Sequence, residues 1–310
     1  MHNQKLGVLD ILKKSLLVFG ENINFIIFAL ITSFPLFCFL VYYEFFFQKF
    51  LYVTSEALEQ SPDYFYYYWH DTFDIARQLN KQIFYEFVQL GFLYLVPLHL
   101  LELFFVLVIV DLASKIYEED KPMSLKDMIR KPVEMARLRG TFVTFVYVTL
   151  LSTCTLLGLI WLVTTYYVIL RTSSYYVLLA ALCGAIFAPL LTLYLALSAE
   201  WNMSIVISIL EGIYGAEALA LSAYFMRGNH RRGLVLMLVF FVWGVSLRLP
   251  CFYIGCYKQG YGIVAQISLF CLGNALKWVV LVVYFLDCKT RILEKKVDYE
   301  VGIQVKAVDE

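Results

Sequence analysis

Two pairs of polar side chains interrupt stretches that are otherwise apolar. His99 and Glu102 stand three residues apart, and so do Asn274 and Lys277. At helical spacing each pair shares one face. A charge at the centre of a helix in lipid costs roughly 2.5–3.5 kcal/mol, so such residues are the first place to look for function. Two chemistries suit these types. A carboxylate and an ammonium group neutralise each other, and an imidazole beside a carboxylate relays a proton or holds an ion. Counted from the ends of their apolar runs, Glu102 and Lys277 each lie about 15 Å deep. Neither can reach the membrane surface alone, and a Glu102–Lys277 pair between two helices is expected. The plainer alternative is a pair that only fixes helix register.

The elements that carry these residues are read from composition and hydropathy. The chain is 61% hydrophobic and 16% charged, with a mean hydropathy of +0.72. Typical globular proteins have roughly 45–50% and about 25%. Six apolar runs are each taken as a span, over about 25–43, 87–112, 141–170, 175–198, 233–249 and 263–286, with a tail over 289–310. Some 20 residues cross the roughly 30 Å hydrocarbon layer as a helix. Backbone groups in lipid must be satisfied within the segment, so these runs are helices. The expected fold is all-α, a single polytopic transmembrane bundle of about six spans with short cytosolic amphipathic helices. Pro35, Pro97 and Pro189 fall inside spans and are read as kinks that neighbouring helices accommodate. The two halves of the chain show no internal repeat.

Basic residues set the orientation. Of 25 lysines and arginines, 18 fall before the first span, in the second and fourth gaps and in the tail, against 6 in the remaining gaps; Lys277 lies inside a span. The positive-inside rule then puts both termini in the cytosol. The sequon Asn202-Met203-Ser204 falls on the same side and is expected to carry no glycan. The first 20 residues, with Lys13 and Lys14 among Leu9, Ile11, Leu12 and Leu16, read as an interfacial helix rather than a cleavable leader. A net charge of zero leaves no basic domain for nucleic acid, so the expected partner is the lipid bilayer.

Other candidates carry less. Met123–Met135 is a mixed-charge segment whose basic residues are read chiefly as topology signal. Tyr64–Trp69, beside His70 and Asp71, reads as a headgroup anchor, with too few ligands for a metal. Cys251 and Cys256, in one turn, form a possible disulfide. Cys288, at a span end beside Lys289, is a candidate for S-palmitoylation. No motif for a metal, phosphate, dinucleotide or acyl-transfer site occurs, so no cofactor is expected.

The fourth gap holds the most organised polar segment. Its glycines mark a bend, Ala216–Met226 reads as a helix and Gly228 as its stop signal. The pattern LEG-x-YG-x-EAL-x-x-S-x-x-x-x-RG over Leu210–Gly228 resembles the motif of an uncharacterised family of six-span plant membrane proteins. It is similar, more distantly, to the membrane domain of glycerophosphoryl diester phosphodiesterases. The N-terminal LGVLDILKKSLLVFGENINFIIFALITSFPL and the VVYFLDCK that ends span six extend the likeness to about residue 289. The resemblance implies six helices and a cytosolic helix after span four. It implies no catalytic role for the matching Glu211, Gly215, Glu217, Ala218, Ser222, Arg227 and Gly228. Glu211 or Glu217 is expected to meet Arg227 or another basic residue and hold the helix under the bundle.

Two functional classes remain. The absence of catalytic motifs favours a non-enzymatic membrane protein with a scaffold, trafficking or assembly role. His99, Glu102 and Lys277 favour a transporter or channel for a small solute or ion. A water-accessible cavity reaching Glu102 would select the second.

Overall fold

The computed structural model describes residues 6–59, 81–119, 128, 135–172, 176–254 and 260–308. All regular structure among them is helical: α1 (Val8–Gly20), α2 (Ile23–Glu59), α3 (Lys81–Leu93), a π-helical turn (Tyr94–Leu98), α4 (His99–Glu119), α5 (Met135–Thr172), α6 (Tyr176–Leu210), α7 (Ala216–Met226), α8 (His230–Ile254) and α9 (Tyr261–Val308). Six segments are long and apolar enough to cross a membrane: Ile23–Phe50, Val88–Glu118, Leu138–Val163, Gly184–Leu210, His230–Cys251 and Tyr261–Glu294. The protein is a polytopic helical bundle, as composition requires.

The bundle is built around α9, which packs against α1, α2, α4, α6, α7 and α8. From Trp278 to Phe285 every α9 side chain is at most 1% exposed, so this helix is apolar and enclosed on all sides. Lipid tails are as apolar as these side chains. What favours the packed state is therefore close dispersion contact and interhelical hydrogen bonding, not transfer out of water. The small Gly233 shows how close that contact is. A Cβ there would come within 2.6 Å of Met226 Cε and 3.2 Å of Tyr284 Oη. Helix α5 lies at the periphery, packed mainly on α6, and exposes Tyr147, Leu150, Leu157 and Trp161.

Several boundaries differ from the sequence reading. Helix α2 continues to Glu59, because no glycine or proline occurs after Pro35 within it. Span five is longer, since Pro250 falls near the end of α8, where few backbone bonds are lost. The tail is not separate, as α9 runs on to Val308. Span four continues beyond Ser198 to Leu210, and Val206 and Ile207, assigned to a soluble-side segment, are fully buried. That extension places Asn202 inside the span, its amide donating to the Ser198 carbonyl at 2.7 Å. An unmodified Asn202 therefore carries no information about orientation.

Helix α1 starts where the Asp10 carboxylate accepts from the Gly7 N–H at 2.8 Å. It buries Ile11, Ser15 and Phe19 against the bundle and leaves Leu9, Leu16 and Leu17 exposed. That is two-sided amphipathicity, suited to lying between protein and headgroups. Cys288 is fully buried, which removes it as an acylation site. Tyr64–Trp69, His70, Asp71 and nearly all of Met123–Met135 lie outside the described residues, as does Cys256, the second half of the possible disulfide.

Candidate functional site

A cavity of about 400 Å³ lies between α2, α4, α8 and α9. His99 and Glu102 both line it, so their predicted common face points into open space. Asn274 faces them from α9, and Arg248 and Gln266 stand at the other end. Gln266 and Asn274 are eight residues apart, so the cavity runs about 12 Å along α9. Its lining stops at Glu102 and Asn274. Past that level Leu103, Phe105, Val106 and Leu107 of α4 meet the enclosed stretch of α9, and the core is solid toward the end that carries α1 and α7.

Local structure explains why His99 and Glu102 face inward. Pro97 supplies no N–H, and the backbone around it widens into the π-helical turn Tyr94–Leu98. The extra residue in that turn re-aims the start of α4. His99 then stacks edge-on against Tyr94 at 4.9 Å and against Phe145 at 6.2 Å, and its Nδ1 is buried without a hydrogen-bond partner. Glu102 makes no hydrogen bond or ion pair within 4.0 Å to another described residue. Lys277 lies within electrostatic reach of Glu102, from the adjoining helix α9. Its Nζ, however, rests 4.7 Å from the centroid of the Trp278 ring and does not line the cavity. The two helices are neighbours, then, but Glu102 and Lys277 do not form a direct bridge.

Sequence reasoning missed a second polar cluster. Glu44, assigned to a loop, is 1% exposed. Its carboxylate accepts from Arg248 Nη2 at 2.8 Å, from Gln48 Nε2 at 3.1 Å and from Gln266 Nε2 at 3.4 Å. Arg248 thus ties α8 to α2 beside the cavity, and Gln266 joins α9 to the same carboxylate. The available signal was Glu44 and Gln48 at i, i+4 on one face of a helix that nothing in the sequence terminates.

The motif around α7 proves to be a packing device. Gly212 and Gly215 have φ of +69° and +64°, which side-chain-bearing residues rarely adopt. The Gly215 N–H donates to Thr144 Oγ1 at 2.7 Å, fixing the start of α7 against α5. Ala218 is fully buried, and Ser222 Oγ donates to the Glu200 carbonyl at 2.6 Å. Glu211 pairs with Lys289 at 2.6 Å, while Glu217 and Arg227 are exposed, so the basic partner comes from α9. Gly228, at φ +78°, ends the helix. None of these groups lines the cavity beside His99 and Glu102. Among the described residues no cluster of His, Cys, Asp and Glu could hold a metal.

Residues 2–296 match the family described as "Domain of unknown function (DUF8558)", and the chain belongs to that family. No curated protein and no solved structure matches it.

Proposed function

We propose that this member of the DUF8558 family is a non-enzymatic carrier that takes a small solute into the cavity between α2, α4, α8 and α9. The observation that supports this reading is the cavity itself, which reaches His99 and Glu102 halfway along the span Val88–Glu118 and ends on a solid core. Binding sites at half-depth, closed toward one side, suit alternating access. A purely scaffolding role leaves an unpartnered carboxylate and imidazole in the middle of a membrane helix without a purpose. With 18 of the basic residues on the side of the termini, both termini are assigned to the cytosol and the cavity to the half of the bilayer away from it. The likeness of the α7 motif to plant six-span proteins and phosphodiesterase membrane domains belongs to the same proposal and concerns architecture only.

Thiol accessibility tests it. In a background where reactive native thiols are replaced by serine, Asn274→Cys should react with a charged, membrane-impermeant methanethiosulfonate about tenfold faster than Val280→Cys, which lies in the enclosed core. In sealed vesicles of known orientation a carrier exposes position 274 to each side in turn. Protection of Asn274→Cys from both sides, or reaction from one side alone, would overturn the carrier reading.

A further inference from the structure

The polar atoms left without partners around the cavity define the chemistry of what fills it. Gln266 turns its Nε2 toward the acceptor-only Glu44 carboxylate, so its Oε1 points away, buried and with no donor. Glu102 offers two carboxylate oxygens, and neither it nor Asn274 makes a hydrogen bond to another described residue. His99 Nδ1 is likewise unpartnered. Gln266 Oε1 and the Glu102 carboxylate can only accept, so a hydrogen-bond donor is what satisfies them, while Asn274 and His99 can serve either role. The charges agree. Arg248, the cation that lines the cavity, is held by Glu44 at 2.8 Å, and Lys277 is turned onto Trp278. That leaves the Glu102 carboxylate as the lining charge with no direct counter-ion. The walls add Tyr43, Tyr94, Phe240, Phe241 and Phe270, whose ring faces attract cations in a desolvated site.

We infer that the cavity binds an organic ammonium ion, its charged head between Glu102 and His99 and its apolar body against Tyr94, Phe240 and Phe270. This assignment rests on the cavity being the solute site proposed above. Lys277 has a defined part in it. It is the internal cation in electrostatic reach of Glu102 that an incoming ammonium must compete with. Removing Lys277 should therefore tighten binding, an effect that a merely structural lysine would not produce.

The test uses the full chain in lipid nanodiscs and three isosteric probes: 3-phenylpropylammonium, 3-phenylpropanol and 3-phenylpropanoate. Binding is measured by calorimetry and by the shift in Tm. The ammonium probe should bind the wild-type chain and raise its Tm, with little response to the other two. Its affinity should fall about tenfold or more in Glu102→Gln and rise several-fold in Lys277→Met. Should Glu102→Gln fail to fold, Lys277→Met still decides, because unchanged or weakened ammonium affinity there overturns the assignment. Tighter binding of the alcohol or carboxylate overturns the ammonium class. Failure of all three to bind overturns it too, while the carrier reading is judged separately by the reactivity of Asn274→Cys.

Discussion

Arg248→Ala is expected to destabilise the bundle by about 2–4 kcal/mol, whereas Glu44→Gln costs about 1 kcal/mol. The asymmetry arises from exposure. Glu44 has 2% of its side chain exposed and Arg248 58%, so the two ends of one ion pair sit in different surroundings. Without the guanidinium, a carboxylate stays buried between α2, α8 and α9 with only the Gln48 and Gln266 amides to hold it. Without the carboxylate charge, the guanidinium is already largely exposed and loses little. The expected cost of Arg248→Ala stands below that of a fully buried pair for the same reason. Unfolding in mixed micelles, monitored by loss of helicity, measures both variants. The double variant Arg248→Ala/Glu44→Gln should recover most of the loss. If it is as unstable as Arg248→Ala alone, the stranded charge is not the cause.

The second large effect is expected at the other end of the bundle. Arg232 donates to the Leu6 carbonyl at 3.1 Å and to Asp287 Oδ2 at 3.0 Å, and also bonds Asn229. It thereby clamps the segment before α1 to α8 and α9. Asp287 is 8% exposed, and its other cationic partner is Arg291 at 3.0 Å. Arg232→Gln should cost about 2–3 kcal/mol, because Asp287 keeps one cation but Leu6 loses its donor. The local consequence should exceed the global one. Amide exchange in α1 should accelerate more than exchange in the enclosed part of α9, since α1 loses its terminal anchor. Equal acceleration in both helices would mean that Arg232 holds the core and not the N-terminal segment. By contrast Lys289→Ala, which removes an exposed partner of Glu211, should change stability by no more than about 1 kcal/mol.

These cases also separate what could be read along the chain from what could not. Helix α7, its glycine bend and its stop at Gly228 were legible, because turn geometry and helix termination are local. That α4 and α9 adjoin agrees with the equal depth counted for Glu102 and Lys277, but depth along a helix does not say which way a side chain turns, and the ammonium rests on the Trp278 ring without bridging Glu102. Span four was ended too early because the polar Glu200, Asn202 and Ser204 read as a span end. In the structure the Ser198 carbonyl accepts from Asn202 and the Glu200 carbonyl from Ser222, so this stretch continues as a buried helix. Glu44 failed in the same way. A carboxylate after an apolar run looks like the start of a loop unless the distant Arg248 and Gln266 are known to meet it.

By itself, then, the sequence determined that this is a helical membrane protein with six spans, and which polar residues lie too deep for water to reach without an opening. Hydropathy and helical rise act on each segment independently, so one dimension suffices for both. Only the tertiary structure decided that α9 is the enclosed centre, that the π-helical turn before His99 aims two polar groups into a shared cavity, and that Glu44 is buried. The physical reason is that a charge or an unpaired acceptor has no fixed cost. Its cost is set by partners from other helices, and those partners are 200 or so residues away in the chain.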